Sequence, residues 1–152
     1  MNSLTRLCSA AVVILALAPA WASPPKPTEK AKSIFDSYQS LERSFDPAIA
    51  DLYCDTALIR NTRTYPDGNK RTLEFPAPKY KELIRKSMPL AKTAGDFSNY
   101  SKVTYSMEGE NVRINSTRYG VLKKYSSPMS ILVGACSGGD WAILEELSES
   151  QP

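Results

Sequence analysis

FDPAIADLYCDTALIRNTR, residues 45–63, predicts a short helix that turns directly into a strand. Asp46 and Pro47 mark the helix start, because an Asp side chain accepts hydrogen bonds from free backbone amides and Pro loses no needed hydrogen bond at the first helical position. The apolar residues that follow recur at helical spacing, namely Ile49, Leu52 and Tyr53. The pattern changes between Cys54 and Ala57, so we place the change from helix to strand there.

After that change the pattern has the two-residue period of a β-strand. One face carries Ala57, Ile59, Asn61 and Arg63, and the other carries Leu58, Arg60 and Thr62. A helix that runs directly into a strand packs against the sheet that this strand joins. We therefore use this segment to organise the prediction for the rest of the chain.

The first 22 residues have the pattern of a cleaved export signal. A single basic residue, Arg6, precedes an apolar run over residues 10–18, and small residues at positions 20 and 22 suit a signal peptidase. The run is shorter than the roughly 20 apolar residues that span a bilayer. We expect cleavage after Ala22, no remaining membrane anchor, and a protein that is periplasmic or secreted. A Pro-rich spacer over residues 23–27 and one domain over residues 28–150 follow.

Composition excludes several classes of chemistry. Arg6 leaves with the leader, which lowers the net charge from +3 to +2, whereas a nucleic-acid partner requires a strongly basic face. The sequence contains no histidine, so Ser-His-Asp and Cys-His arrangements and zinc sites built on imidazole are excluded. We expect no metal, no cofactor and no nucleic-acid partner.

Two cysteines, Cys54 and Cys136, remain once the leader is removed. In an oxidising compartment an even pair of cysteines predicts a disulfide bond. The alternative is two separate buried thiols.

The other elements follow from changes of period. A first helix capped by Thr28 carries an apolar stripe from Ala31 to Phe45, and a third helix runs from Lys79 to Met88, where Pro89 ends it. The further predicted strands cover residues 70–75, 100–107, 112–119, 130–136 and 141–149. In the hairpin between the third and fourth strands, Val103, Tyr105 and Met107 oppose Val112 and Ile114 as the inward set.

This order predicts an α+β fold in which three helices pack on a strongly curved, mostly antiparallel six-stranded sheet. Such a sheet forms a cone with an apolar pocket at its open end. The element order, together with Leu52-Tyr53-Cys54-Asp55-Thr56-Ala57 read as leucine, aromatic, small, acidic, variable and alanine, resembles the nuclear transport factor 2-like (NTF2-like) superfamily. That group includes ketosteroid isomerases, polyketide cyclases and uncharacterised exported domains, and the resemblance covers about residues 28–149.

The resemblance argues against the isomerase mechanism in this chain. In the isomerases a carboxylate late in the first strand abstracts the proton, and the matching position here is Asn61, whose amide cannot act as a base. The isomerase tyrosine that donates to the oxyanion lies on the first helix, where Tyr38 falls. Tyr38 also lies on the apolar stripe of that helix, which favours a core position. We assign no catalytic residue, and enzyme activity stays uncertain.

The pocket candidates are the side chains expected to face into the cone. They are Tyr38, Ile59, Asn61, Arg63, Tyr105, Arg113, Asn115 and Tyr119. Arg63 can pair with an anionic ligand through its planar guanidinium group. The three residues of the fourth strand join this lining only if Val112 and Ile114 face outward. In the other interpretation the arginines belong to a solvated sheet face, together with Arg60, Arg71 and Arg118.

Three hypotheses for function follow. The first is an exported, non-catalytic domain that binds a small apolar or weakly anionic ligand, or a partner, and forms a homodimer through its exposed sheet face. The second is an isomerase or cyclase-like enzyme that uses Tyr38 and a further acid, marked by a carboxylate within about 3 Å of a tyrosine hydroxyl inside the pocket. The third is an envelope interaction or inhibitor protein, marked by a filled cone and an exposed apolar patch.

Overall fold

A computed structural model describes residues 25–151, so the predicted signal peptide and the first residues of the spacer lie outside the described part. The described part contains α1 (Pro27–Ser44), a 3-10 helix (Pro47–Leu52), α2 (Ala77–Ala94), β1 (Tyr53–Thr64), β2 (Lys70–Pro76), β3 (Ser98–Glu108), β4 (Asn111–Gly120), β5 (Tyr125–Ala135) and β6 (Trp141–Ser150). None of the helices in residues 25–151 has the length and apolar character needed to cross a bilayer.

The six strands form one open sheet in the order β2-β1-β6-β5-β4-β3. Only β1 and β6 pair in parallel, and the other neighbours pair antiparallel. Helix α1 packs across β3 to β6, whereas α2 packs on the 3-10 helix and β1. The predicted α+β cone of three helices on a mostly antiparallel six-stranded sheet is therefore confirmed.

The segment that organised the prediction forms as a 3-10 helix followed at once by β1. The Asp46 side chain accepts a hydrogen bond from the Ala48 backbone amide at 2.8 Å, as expected for a helix cap. The strand begins at Tyr53, slightly earlier than the change of period predicts. Ala57 and Ile59 are buried on the inner face of β1, so the predicted faces of this strand are correct.

Two predicted helix ends are wrong. Helix α1 begins at Pro27 rather than after Thr28, because the Lys26 backbone amide donates to the Glu29 carboxylate at 3.0 Å and closes the first turn. Helix α2 continues through Pro89 and ends at Gly95, whose φ of 66° suits a glycine. Proline removes only one helical hydrogen bond, and the backbone amides of Gly95 and Asp96 close the last turn by donating to the carbonyls of Lys92 and Ala91.

Strands β3, β4 and β5 are longer than predicted, and β5 starts at Tyr125 rather than at Ser130. The predicted pairing of Tyr105 with Ile114 and of Met107 with Val112 is confirmed. Met107 is nevertheless 53% exposed, because it lies on the edge strand β3 next to the turn of the hairpin.

The predicted disulfide is present between Cys54 and Cys136, with 5.8 Å between their Cα atoms. It joins the start of β1 to the turn after β5 and closes a loop with a sequence separation of 82 residues. In the chain-entropy model a loop of this size contributes about 4 kcal/mol to the free energy of unfolding. The disulfide therefore fastens the strand that follows the 3-10 helix to the centre of the sheet.

Candidate functional site

The inner face of the sheet is apolar over most of its area. Ile59, Ile114 and Ile131 belong to one hydrophobic core cluster with Phe35 of α1, and each of these four side chains is 1% exposed. These residues fill the closed part of the cone. Within the cone, the space that these side chains leave for a ligand lies at the end where β1, β4 and β6 finish, which we call the mouth.

A buried carboxylate lies among the apolar residues of the inner face. Glu146 is 2% exposed and accepts hydrogen bonds from the hydroxyls of Tyr53 and Tyr80, the latter at 3.1 Å. We call these three residues the interior cluster. Burial raises the pKa of the Glu146 carboxyl above its ordinary value of 4.5, and the tyrosine hydrogen bonds offset this only in part. At 2% exposure the carboxyl cannot meet a substrate in this conformation.

The mouth holds a cavity of about 530 Å³ between the end of α1, the second half of α2 and the adjacent ends of β3, β4 and β5. Helix α2 supplies an apolar wall of Met88, Leu90, Ala91 and Ala94. The polar and charged residues of the lining are Glu42, Ser87, Asp96, Ser98, Arg118, Lys123 and Tyr125. The cavity can therefore hold a molecule with one apolar side and one polar side.

The carboxylate of Glu42, unlike that of Glu146, lines this cavity. The Tyr100 hydroxyl donates a hydrogen bond to the Glu42 carboxylate at 2.8 Å. Burial raises the pKa of Glu42 above its ordinary value of 4.5, while the Tyr100 hydrogen bond and the Arg118 charge lower it in part. We call Glu42, Tyr100 and Arg118 the mouth cluster. This cluster places a proton-exchanging group next to an open cavity.

Arg118 is the cation best placed to bind an anion at the mouth. Its Nη2 donates to the Glu149 backbone carbonyl at 2.9 Å, and within residues 25–151 it forms no ion pair. Its partner across the β4–β5 ladder is Ser127, which is 6% exposed and whose hydroxyl has no hydrogen-bond partner within the described chain. A guanidinium group and a buried hydroxyl side by side are suited to bind a carboxylate, sulfonate or phosphate group.

The predicted pocket residues of α1, β1 and β3 occupy several positions on the inner face. Tyr38 is 6% exposed and packs against Phe35 and Tyr100. Ile59 lies in the core, and Tyr105 packs at its margin. The Asn61 amide is fully engaged, because it donates to Ser148 at 3.0 Å and accepts from Ser150 at 2.7 Å.

Arg63 lies farther toward the mouth on the same face of β1. Its Nε is buried without a hydrogen-bond partner in the described chain, and its guanidinium group lies 5.7 Å from the ring centre of Tyr65. None of the predicted residues of β1 lines the mouth cavity.

The condition under which three residues of the fourth strand would join the pocket lining is not met, so these pocket candidates are corrected. Val112 and Ile114 are 0% and 1% exposed on the inner face, so Arg113, Asn115 and Tyr119 lie on the outer face and do not line the mouth cavity. Arg113 forms ion pairs with Glu108 and Glu145 there. The alternation that places Ile114 inside also places Arg118 inside, although the sequence interpretation grouped Arg118 with the solvated arginines.

Sequence reasoning missed both clusters, although signals existed for the residues at the mouth. Glu42 lies four residues after Tyr38 on α1, at the spacing of the buried face. Arg118 lies four residues after Ile114 on β4, at the spacing of the inner face. No spacing in the sequence predicts an inward position for Glu146. A bulge at Leu144 shifts the register of β6, so Ile143 and Glu146 both face inward despite their odd separation.

Solved structures share this architecture. An NTF2-like protein of unknown function from Pseudomonas putida KT2440 aligns with a TM-score of 0.64 at 12% identity, over 80% of this chain and 84% of its own. Yeast UBP3-associated protein BRE5 aligns with a TM-score of 0.58 at 12% identity, over 82% and 96% of the two chains. A candidate dehydratase of the NTF2-like family from Streptomyces avermitilis aligns with a TM-score of 0.56 at 9% identity, over 81% and 95%.

The chain therefore has the NTF2-like fold, which confirms the fold that the sequence resemblance implies. No model of a protein family matches the sequence, and no curated protein matches it. Likeness at 9% to 12% identity establishes a fold and leaves the function to be argued from the site.

Proposed function

We propose that this protein is an exported, non-catalytic binding domain for a small amphipathic molecule that carries one acidic group. The acidic group binds Arg118 and the neighbouring Ser127 hydroxyl. The apolar part of the molecule lies against Met88, Leu90 and Ala91 of α2. The observation that carries the proposal is an arginine that lines one open cavity without an ion pair in residues 25–151. Its neighbour across the β4–β5 ladder, Ser127, has a buried hydroxyl without a partner in the described chain.

The size and charge of the mouth cavity support a small ligand. A volume of about 530 Å³ falls in the range of about 300–1,000 Å³ that is usual for small-molecule sites. Two acidic residues, Glu42 and Asp96, and two basic residues, Arg118 and Lys123, line the cavity. A ligand with an acidic group and a hydrogen-bond donor matches this lining better than a purely apolar ligand, because both kinds of charge then find a partner.

Binding of 8-anilinonaphthalene-1-sulfonate, an apolar fluorophore with one sulfonate, tests the proposal. We expect saturable binding at one site per chain. Arg118→Met should weaken it by about tenfold or more, because a hydrogen-bonded ion pair contributes about 1.5–3 kcal/mol. Arg60→Met is the matched control, since Arg60 lies on the outer face and pairs with Glu74. Equal affinity of the wild type and the Arg118 variant, with both folded by circular dichroism, would exclude this site.

A second candidate function, a proton-transfer enzyme of the isomerase or cyclase type, is favoured by one observation. The feature expected of such an enzyme is a carboxylate close to a tyrosine hydroxyl inside the pocket. Glu42 and Tyr100 have this arrangement, because the Tyr100 hydroxyl lies 2.8 Å from the Glu42 carboxylate. The residues differ from those expected, because Tyr38 is in the core. In this function Glu42 accepts a proton from carbon and Arg118 holds the acidic group of the substrate.

Ligand retained by the purified protein separates the two functions. Native mass spectrometry of protein isolated from its own compartment identifies a bound molecule. Incubation of that molecule with the protein in D₂O then reports exchange at carbon. The enzyme predicts deuterium uptake with wild type that Glu42→Gln abolishes, whereas a non-catalytic domain predicts no uptake with either protein.

Export and homodimerisation also belong to this proposal. The Cys54–Cys136 disulfide supports an oxidising compartment. The mass of protein from the native host should show the loss of residues 1–22. We place the dimer interface at the outer sheet face. Sedimentation should show the mass of a dimer, and a species that stays monomeric at micromolar concentration contradicts the dimer.

A further inference from the structure

The rim of the mouth cavity carries exposed leucines next to lysines. We define the rim surface as Leu83, Lys86 and Leu90 of α2 together with Leu122, Lys123 and Lys124 of the turn between β4 and β5. Leu90 is 72% exposed, and Leu83 and Leu122 are each 48% exposed. Leucines this exposed on two separate segments leave a combined apolar area that the fold itself does not cover.

The two segments of the rim surface flank one opening. Leu83, Lys86 and Leu90 are spaced by three and four residues, which places them on one face of α2. Leu90 and Lys123 both line the mouth cavity, so the α2 face and the turn lie on either side of it. A flat surface that met this rim would therefore cover the mouth.

The lysines of the rim surface differ in their pairing from Lys81 and Arg85, two other cations of α2. Lys81 and Arg85 form ion pairs with Asp55 and Asp51. By contrast, the three rim lysines form no ion pair within residues 25–151. Nearby acids are few, namely Glu82 on α2, Asp96 after it and Glu42 inside the cavity. The rim thus presents positive charge that no neighbouring carboxylate neutralises directly.

We infer that the rim surface docks the mouth of the cone on an anionic lipid membrane. Leucine side chains partition into the boundary between headgroups and acyl chains, and lysines beside them attract anionic headgroups. The complementary charge selects an anionic surface over a neutral one. Docking in this orientation places the mouth cavity against the membrane, which is a source of amphipathic acids. The docking itself does not depend on ligand binding in the cavity.

Vesicle flotation of the mature protein tests this inference. We expect binding to vesicles of phosphatidylcholine and phosphatidylglycerol, weaker binding in high salt, and little binding to phosphatidylcholine alone. Lys86→Gln/Lys124→Gln should weaken binding by about 25-fold, since one lysine near an anionic surface contributes about a factor of five. Leu122→Ser should also weaken it, by severalfold. These three residues do not line the cavity, so fluorophore binding by the variants should be unchanged.

Lys26→Gln/Lys30→Gln is the charge-matched control, because it removes two positive charges at the start of α1, where Lys30 lies over Trp141 at the end of the sheet opposite the mouth. If this control weakens vesicle binding as much as the rim variant, the attraction is general and the inference is wrong. Failure of the wild type to bind anionic vesicles at low salt also overturns it. Fluorophore binding is measured separately. If the wild type binds the fluorophore but not the vesicles, the membrane docking is rejected and the proposed ligand site is not.

Discussion

The interior cluster and the mouth cluster contain the same pair of chemical groups, a glutamate that accepts a hydrogen bond from tyrosine. Glu146 is enclosed by the core at 2% exposure, whereas Glu42 is half-buried and lines a cavity. Burial raises the pKa of both carboxyls. The difference between them is therefore access to solvent and ligand rather than the nature of the groups.

This comparison separates a structural role from a functional one. A carboxyl that no solvent reaches serves to satisfy the hydroxyls of Tyr53 and Tyr80 inside the sheet, and its loss affects the free energy of unfolding. A carboxyl on a cavity can exchange protons or bind a donor at small cost to stability. A perturbed pKa alone indicates neither role.

The largest expected effect is that of Glu146→Ala. The variant leaves two buried tyrosine hydroxyls without an acceptor and opens a cavity, so we expect a loss of about 4 kcal/mol in the free energy of unfolding. Glu42→Ala should lower the free energy of unfolding by about 1 kcal/mol, since water from the cavity can take the place of the carboxylate that accepts from the Tyr100 hydroxyl. Urea unfolding of both variants measures the difference, and equal losses would contradict the comparison.

The pH dependence of the free energy of unfolding should report the burial of Glu146. The folded pKa of Glu146 is above its ordinary value, so the contribution of the neutral carboxyl is complete below pH 4.5 and is lost as pH rises through the folded pKa. The corresponding slope is at most about 1.4 kcal/mol per pH unit. Subtraction of the urea-unfolding profile of Glu146→Gln from that of wild type isolates it, because Asp55 and Glu108, whose pKa values are lowered, are common to both. Parallel profiles would show that the pKa of Glu146 does not differ between the folded and unfolded states, which contradicts the raised pKa.

Removing the tyrosine hydroxyls gives smaller effects. Tyr53→Phe should lose about 2 kcal/mol, because its hydroxyl donates to a buried carboxyl, and Tyr100→Phe about 1 kcal/mol or less. Tyr100→Phe should instead raise the pKa of Glu42 further, since the Tyr100 hydrogen bond lowers it. Carboxyl carbon shifts in NMR titration report this pKa. An unchanged Glu42 titration would argue against the contact at the mouth.

The smallest expected effect is that of a substitution on the outer face. Arg60→Gln breaks an exposed ion pair with Glu74 and should change the free energy of unfolding by less than about 1 kcal/mol. Fluorophore binding should not change. Thermal unfolding and titration of the same variant check both statements, and weakened binding would show that the outer face takes part in the site.

The fold was predictable because its strongest signals are local. Asp46 caps a helix within three residues of itself, and the alternation from Ala57 onward defines the two faces of β1. The disulfide was also predictable, because two cysteines that remain in an oxidising compartment predict a bond between them. The predicted helix ends at Thr28 and Pro89 are wrong, because a hydrogen bond from the Lys26 amide to Glu29 and the hydrogen-bonded turn that ends at Gly95 outweigh the ordinary preferences.

The candidate site was predictable only in part. Alternation along β4 is correct, but which of its two faces points inward depends on pairing with β3 and β5. The sequence therefore left Arg113 as a pocket candidate only if Ile114 faced outward, and it grouped Arg118 with the solvated arginines. The bulge at Leu144 is defined by the pairing of β6 with its neighbouring strands, and it turns Glu146 toward the core. A local pattern carries no information about such a shift.

The sequence by itself determined the change from helix to strand near residue 53, the disulfide partners and the NTF2-like arrangement, because each depends on neighbouring residues or on composition. Only the tertiary structure decided which carboxyl is enclosed and which one meets the cavity. That choice depends on strand register, a bulge and the position where α2 ends, and these are fixed by contacts between residues far apart in the chain.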